Sequence, residues 1–93
     1  MDVRFYLDPS TGEPHVRTHG VTEEEAEQVL GDPAEDRPGA EGARVAIGRT
    51  GSGRILRVIY VPDPDGDGVF VVTSYELTGK PLEAFKRRRR RKR

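Results

Sequence analysis

Residues 43–77 read ARVAIGRTGSGRILRVIYVPDPDGDGVFVVTSYEL, and most of the regular structure is predicted from them. Three runs rich in β-branched and aromatic residues, at about 43–50, 54–61 and 69–77, are separated by turns rich in glycine and proline. Connections this short join antiparallel neighbours. These residues therefore predict an antiparallel β-meander of three main strands.

The two faces of this meander are predicted to differ in the residues they carry, because alternate side chains of a strand lie on opposite faces. The shortest hairpin registers place Thr50 opposite Arg54 and Val61 opposite Val69. One face then collects Val45, Ile47, Ile55, Ile59, Val61, Val69 and Val71, with Arg49, Arg57, Thr73 and Tyr75 near one end. The other face collects Ala46, Leu56, Val58, Tyr60, Phe70 and Val72, with Arg54 opposite Glu76. Both faces are apolar, so both need a cover.

The residues before the meander predict an N-terminal strand or hairpin and one helix. Apolar residues alternate over residues 3–7 as in a half-buried strand, and a short strand near 15–18 is expected to return beside it. A helix is predicted from about Glu23 to Leu30, because Thr22 and Glu25 have the spacing of a capping box.

These elements together predict an α+β domain over residues 1–85. Residues 32–42 predict an exposed loop, and Pro81 suits the first position of a short C-terminal helix that runs into a basic tail at 86–93. One short helix cannot cover both faces of the sheet. The second face is expected to be covered by the C-terminal segment, by the N-terminal hairpin, or by another subunit, as in a homodimer.

The composition excludes several classes of protein. The 93 residues include no cysteine, which excludes disulfides and thiolate metal sites. The N-terminus MDVRFYLDPS lacks the basic and apolar segments of a secretion signal, and no apolar run is long enough to span a membrane. We therefore expect a cytoplasmic protein with no membrane partner and no cofactor.

Charge is divided unevenly along the chain. Residues 1–85 contain 8 Lys and Arg against 16 Asp and Glu, a formal charge of −8, whereas the last eight residues are all basic. A cation that meets a phosphate releases counterions, so the tail predicts binding to RNA or DNA. The alternatives are a tail that lies on the acidic body or on an acidic partner. The predicted contacts are Lys86, Arg87, Arg88, Arg89, Arg90, Arg91, Lys92 and Arg93.

Three further motifs match known sites only in part. Residues 63–68 (DPDGDG) begin like a calcium loop, but Ser74 stands where the closing glutamate is needed. Residues 51–53 (GSG) predict a hairpin turn, since no helix follows that could hold a phosphate. His15 and His19 are too few for a metal site, and none is predicted. His19 is either a catalytic candidate or part of the helix cap.

The grouping of Arg49, Arg57, Thr73 and Tyr75 predicts a site for chemistry on RNA. Cleavage without a metal needs cations that hold the phosphate and a donor that protonates the leaving oxygen, and arginine and tyrosine fill these roles. The predicted catalytic residues are Arg57, Tyr75, Arg49 and His19. The alternative is that these are charged strand ends reaching into water.

Four segments resemble BrnT-type toxins. Phe5 to Asp8 (FYLD) is similar to that family's F-x-W-D, and His19 to Ala26 (HGVTEEEA) is similar to its K-H-G-V-S-F-E-E-A. Gly53 to Tyr60 (GRILRVIY) resembles its G-R-x-L-x-V-x-Y, and Val71 to Tyr75 (VVTSY) stands where it has I-I-S-A-R. A neighbouring group of uncharacterised bacterial domains is similar in the helix and in a terminal V-T-x-Y strand.

The resemblance implies a RelE-like fold in a toxin that inhibits translation by cutting RNA and is neutralised by a small DNA-binding antitoxin. Of the positions in the family's motifs, His19, Arg54, Arg57 and Tyr60 are retained here. The resemblance therefore implies that Arg54 is a nucleic-acid contact. Tyr75 replaces the family's arginine, either as a substitute acid or because catalysis has been lost. The alternatives to a toxin are a non-catalytic nucleic-acid or ribosome-associated binding module and a partner-binding protein.

Overall fold

The computed structural model describes residues 1–91, and Lys92 and Arg93 of the predicted tail lie outside the described residues. The strands are β1 (Asp2–Phe5), β2 (Glu35–Pro38), β3 (Arg44–Arg49), β4 (Ile55–Pro62) and β5 (Gly68–Glu76). The helices are a 3-10 helix (His15–His19), α1 (Glu23–Gly31) and α2 (Gly79–Arg91). The predicted α+β class is confirmed, and so is the three-stranded meander, which is β3, β4 and β5.

The sheet brings the two ends of the chain together. Its strand order is β1-β5-β4-β3-β2, with β1 parallel to β5 and every other pair antiparallel. A parallel pair cannot be joined by a tight hairpin, and here the connection from β1 to β5 contains all the other strands and α1. Because β1 ends at Phe5, it covers only the first part of the β5 edge.

The segment near residues 15–18 is a 3-10 helix, and the predicted return strand is wrong. Leu7 and Pro14 form a single antiparallel bridge, after which the chain turns. Thr18 Oγ1 donates to the carbonyl of His15 at 2.7 Å and stabilises the turn. The turn also directs the Val16 side chain into the core beneath the sheet, where it is 1% exposed.

Residues 35–38 form the edge strand β2, in a region predicted to be loop. The Ala34 N–H donates to the Ile47 carbonyl at 2.8 Å, and β2 then pairs antiparallel with β3. The residues EDRP have little intrinsic preference for a strand. The Glu35 side chain is nevertheless only 4% exposed, because arginines distant in sequence and in β2 itself bind it. Tertiary contacts therefore override the local preference.

A β-bulge between β4 and β5 leaves Val72 of β5 without a partner. The β5 residues before Val72 therefore lie on the opposite face from the one that strict alternation predicts. The predicted pairing of Val61 with Val69 is therefore wrong, since Val69 lies opposite Pro62 and Phe70 lies opposite Val61. Val69 and Val71 join the main core instead of the opposite face. The predicted assignment of faces holds on the other side of the bulge, which contains the candidate site.

Each face of the sheet carries its own core. Helix α1 covers one face and is capped as predicted, since Thr22 and Glu25 exchange two hydrogen bonds of 3.1 Å. The main core on that side consists of Val16, Val21, Ala26, Val29, Ala46, Leu56, Val58, Tyr60, Val69 and Val71. Helix α2 partly covers the other face, where Leu82 and Phe85 pack with Ile47, Ile55 and Leu77. Of the three predicted covers, the C-terminal segment is thus the one observed.

Candidate RNA-binding and cleavage site

Arg57 and Tyr75 lie side by side on the face of the sheet that α2 partly covers. The register of β4 and β5 places them directly opposite each other, and Arg57 Nη1 donates to Tyr75 Oη at 3.1 Å. The guanidinium carbon lies 5.8 Å from the centre of the tyrosine ring, within the range of a cation–π interaction. Thr73 follows on the same face, opposite Ile59. The structure therefore brings together three of the four residues in the predicted grouping.

His19 packs against Tyr75. The two ring centres are 6.0 Å apart and the ring planes are inclined at 64°, an edge-to-face arrangement. His19 is the last residue of the 3-10 helix, which ends at Gly20 with a φ of 72°, a conformation that glycine adopts without steric cost. The 3-10 helix that replaces the predicted strand therefore brings the exposed His19 ring to β5.

Arg57 is half-buried within the sheet. Its Nε atom is buried and has no hydrogen-bond partner among residues 1–91. Most buried polar atoms in proteins are paired, and leaving one unpaired costs about 1–3 kcal/mol. Arg57 is therefore a partly desolvated cation rather than a strand end reaching into water, and its attraction for an anion is weakened less by solvent.

An open cavity of about 310 Å³ adjoins Arg57. Its charged lining consists of Arg37, Arg57 and Arg88, and the rest is apolar (Pro38, Val45, Ile47 and Ile59). Glu35 accepts hydrogen bonds from Arg37 at 2.8 Å and from Arg88 at 2.8 and 3.0 Å. The lining has three guanidinium groups, and the one carboxylate binds two of them, so the cavity keeps a positive charge that suits a phosphate.

Arg49 lies apart from this group. Its guanidinium donates to the carbonyl of Gly53 at 3.2 Å, and it lines a separate cavity of about 370 Å³ beside Phe85 and Arg89. Among residues 1–91, no hydrogen bond joins Arg49 to Arg57 or Tyr75. Leu82 and Phe85 of α2 pack with Ile47 and Ile55 on this face. Arg49 and Arg57 line different cavities.

Arg54, a predicted nucleic-acid contact, is bound within the protein. Its Nη1 donates to both carboxylate oxygens of Glu25 at 2.9 Å and to the Gly20 carbonyl at 3.1 Å, and its Nε donates to Glu76 at 3.2 Å. The backbone hydrogen bond from Thr22, followed by the hydrogen bond from Arg54, holds the pKa of Glu25 below its ordinary value. Arg54 therefore connects the start of α1 to the sheet, and its guanidinium is only partly open to a ligand.

Helix α2 continues through the basic residues to Arg91 and divides them into two sets. Arg88 binds Glu35, and Arg89 donates to the Ala34 carbonyl at 3.1 Å, so both lie on the body of the protein. Lys86, Arg87, Arg90 and Arg91 form the exposed set, and Arg89 is exposed as well but bonded to the body. This exposed set, called the outer cations below, is free of the contacts that hold Arg88. The predicted tail thus both docks on the acidic body and presents cations to solvent.

The remaining motifs have structural roles in this fold. Residues 63–67 form the loop between β4 and β5, where Asp63 accepts a hydrogen bond from Arg4. Gly53 closes the β3–β4 hairpin with a φ of 93°. Within residues 1–91, His, Asp and Glu side chains form no group of three or more arranged to hold a metal ion.

Two further aromatic residues, Tyr6 and His15, lie beside the site and were not among the site residues predicted from the sequence. The Tyr6 and His15 ring centres are 5.9 Å apart, and those of His15 and His19 are 5.4 Å apart. The rings of Tyr6, His15, His19 and Tyr75 therefore form one continuous row, called the aromatic row below. The spacing of the two histidines was visible in the sequence, but their juxtaposition depends on the 3-10 helix.

Comparison of this chain with known protein families, with curated proteins and with solved structures finds no match. No helix within residues 1–91 is both long enough and apolar enough to cross a membrane. What the structure provides is an α+β domain in which Arg57, Tyr75 and His19 are adjacent on one surface and the outer cations lie on α2.

Proposed function

We propose that this chain is the toxin component of a type II toxin–antitoxin system, a RelE-like ribonuclease that cuts RNA without a metal ion and so inhibits translation. The observation that carries the proposal is the contact of Tyr75 with both Arg57 and His19. A five-stranded sheet with two helices is also compatible with the RelE-like fold that the resemblance to BrnT-type toxins implies.

The three side chains suit the steps of RNA cleavage by the neighbouring 2′-hydroxyl. His19 takes the proton of the 2′-hydroxyl as its oxygen attacks the phosphorus, because a neutral imidazole has a nitrogen that accepts a proton. Arg57 holds the non-bridging oxygens, on which negative charge increases. Tyr75 gives its proton to the 5′-oxygen as the P–O bond breaks. The products are a 2′,3′-cyclic phosphate and a 5′-hydroxyl.

The hydrogen bond between Arg57 and Tyr75 favours the second proton transfer. Because Arg57 Nη1 donates to Tyr75 Oη, the phenol oxygen accepts from that side and its own hydrogen is free to point elsewhere. The guanidinium also stabilises the negative charge left on the oxygen when the proton leaves. Tyr75 is thus prepared as a donor, which supports its role as a substitute for the arginine of BrnT-type toxins.

A second candidate function is a non-catalytic RNA-binding module. The outer cations favour it, because four exposed Lys and Arg side chains on one helix hold phosphates without any chemistry. In this case Arg57, at the 310 Å³ cavity, also holds phosphate without taking part in any chemistry. The two candidates differ in one observable, the breakage of the RNA chain.

The test is cleavage of end-labelled single-stranded RNA by the purified chain in the presence of a chelator, with analysis of the product ends. We expect Tyr75→Phe and His19→Ala each to slow cleavage by about 10²- to 10⁴-fold, the usual contribution of a general acid or base. RNA binding should change little in Tyr75→Phe, which keeps the aromatic ring. Arg17→Ala is the matched control, because Arg17 lies on the same 3-10 helix but binds Glu23.

Each outcome favours one candidate. Intact RNA with measurable binding by the wild-type chain would support the binding module, and cleavage that is unchanged in Tyr75→Phe would remove Tyr75 from the chemistry. Expression of the intact chain in a bacterial host should arrest growth and fragment cellular RNA. Co-expression of a small neighbouring antitoxin should restore growth, and normal growth at confirmed protein levels would contradict the toxin.

A further inference from the structure

The aromatic row extends the candidate site well beyond the reacting groups. Successive ring centres are 5.9, 5.4 and 6.0 Å apart from Tyr6 through His15 and His19 to Tyr75. Neighbouring planes are inclined at 61°, 83° and 64°, so the rings meet edge to face and do not stack on one another. An edge-to-face contact covers one face of only one ring in each pair, and all four residues stay at least partly exposed, which leaves ring surface for the flat bases of a nucleic acid.

The exposure of Tyr6 and His15 shows that these two rings are not needed to form the core. Tyr6 is 42% exposed and the His15 side chain is 33% exposed, while Val16 between the two histidines is 1% exposed. Val16 therefore anchors the 3-10 helix in the main core. If the row served only to attach this helix, its rings would be expected to be buried like Val16.

The row is also held in place before any ligand arrives. Tyr6 N–H donates to the Val71 carbonyl and the Tyr6 carbonyl accepts from His15 N–H, both at 2.8 Å. Hydrogen bonds from Ser10 hold the pKa of Asp8 below its ordinary value, and this carboxylate lies 3.5 Å from His15 Nδ1. Groups that are already ordered lose less conformational entropy on binding.

The position of the row links it to the proposed phosphate contact. It runs along the part of the β5 edge that β1 leaves uncovered, and it ends at Tyr75, whose hydroxyl binds Arg57. A strand with one phosphate at Arg57 would therefore place the adjoining bases over the rings. Stacking on exposed aromatic side chains is how proteins bind single strands, because the bases of a duplex already stack on each other.

We propose that Tyr6, His15, His19 and Tyr75 are a binding platform for the unpaired bases of single-stranded RNA. This inference rests on the proposed function in one respect, the phosphate held by Arg57, and it names the substrate class of that site. Tyr6 and His15 act in binding, apart from the reacting atoms. The platform explains how a protein whose basic helix binds any phosphate backbone selects unpaired RNA.

The experiment measures the affinity of the full chain for a short fluorescent oligonucleotide of 2′-O-methyl RNA, which lacks the attacking hydroxyl and cannot be cleaved. The same oligonucleotide annealed to its complement provides the duplex. We expect Tyr6→Leu and His15→Asn each to weaken binding to the single strand by about fivefold to a hundredfold. Binding to the duplex should be unchanged, because the outer cations hold its backbone.

The matched control is Tyr6→Phe, which keeps the ring and should bind within about twofold of the wild-type chain. Equal single-strand affinity of Tyr6→Leu and the wild-type chain, or equal loss in Tyr6→Phe and Tyr6→Leu, would overturn the platform. A wild-type chain that binds duplex as tightly as single strand would do the same. Thermal unfolding of each variant confirms that it is folded, as expected for a substitution at the exposed Tyr6.

These results are separate from those that test the ribonuclease. Weakened binding in Tyr6→Leu together with intact cleavable RNA would leave the platform in place and reject catalysis. Cleavage by the wild-type chain with normal binding in Tyr6→Leu and His15→Asn would support catalysis and reject the platform.

Discussion

Arg54 and Arg57 are three positions apart, at the start of β4, yet their surroundings differ. Arg54 binds two carboxylates and a backbone carbonyl, so its charge is neutralised within the protein. Arg57 has a tyrosine hydroxyl as its side-chain partner and a buried nitrogen with no partner in the described residues. A positive charge without a carboxylate is available to an anion, which is why we assign phosphate binding to Arg57 and a structural role to Arg54.

Arg54→Ala is accordingly expected to affect stability more than RNA binding. The substitution leaves Glu25 with its capping bond but without its cation, and hydrogen bonds between charged groups contribute about 1.5–3 kcal/mol each. The free energy of unfolding, measured with urea, should fall by about 2 kcal/mol. Arg17→Ala, which removes an exposed pair with Glu23, should change stability much less. Unchanged stability with weakened RNA binding would reverse the assignment.

At the scale of elements, α2 is attached to β2 through one carboxylate. The Glu35 side chain is 4% exposed and receives two hydrogen bonds from Arg88. The hydrogen bond from Arg88 is the main cause that lowers the pKa of Glu35 below its ordinary value. The contribution of the ionised Glu35 to stability is therefore complete above the ordinary pKa of glutamate, about 4.3. It is lost as the pH falls through the lowered pKa of the folded state.

We therefore expect α2 to detach in acid before the sheet unfolds. Amide hydrogen exchange, measured from pH 7 down to about pH 2 and corrected for intrinsic rates, should show loss of protection in α2 at the acid end. Glu35→Gln should lack this pH-dependent step and should show reduced protection of α2 at pH 7. Protection of α2 in the wild-type chain that does not change with pH would contradict the role given to Glu35.

Elements with local signals were predicted from the sequence, and elements that depend on distant contacts were not. The capping box defines α1 and the turns define the meander, so both were placed within about two residues, the usual uncertainty of element ends. β2 depends on arginines of α2, and the 3-10 helix depends on the burial of Val16. Arg57 and Tyr75 were grouped correctly because a bulge elsewhere in the strands does not alter their faces. The Arg49 side chain binds the Gly53 carbonyl and lines another cavity, which strand alternation does not show.

At the scale of the whole molecule, charge is separated in space as well as in sequence. The outer cations project from α2, whereas α1 begins with three glutamates and the β4–β5 loop contains three aspartates. A uniform acidic surface would repel RNA, and this separation confines attraction to one side. RNA is therefore expected to approach over α2 and the adjoining arginines of the 310 Å³ cavity.

Replacing the four outer cations with glutamine should flatten the salt dependence of RNA binding. Each phosphate contact to a single strand contributes about 0.7 to the slope of log K against log salt, so the slope should fall by about 3 in magnitude if all four make contact. Arg88 is retained because it holds α2 in place. An unchanged slope would show that the outer cations do not meet the RNA, and Arg17→Gln serves as the control for a single charge far from α2.

The pairing of β1 with β5 also determines when the molecule can assemble during its synthesis. β1 and the 3-10 helix both lie against β5, so β1 has no strand to pair with until residues 68–76 have left the ribosome. Contacts this distant in sequence form late in folding. His19 is translated long before Tyr75, and a nascent chain carries one without the other. The proposed cutting site therefore does not exist until β5 has been made, which separates the synthesis of its first residue from any action on RNA.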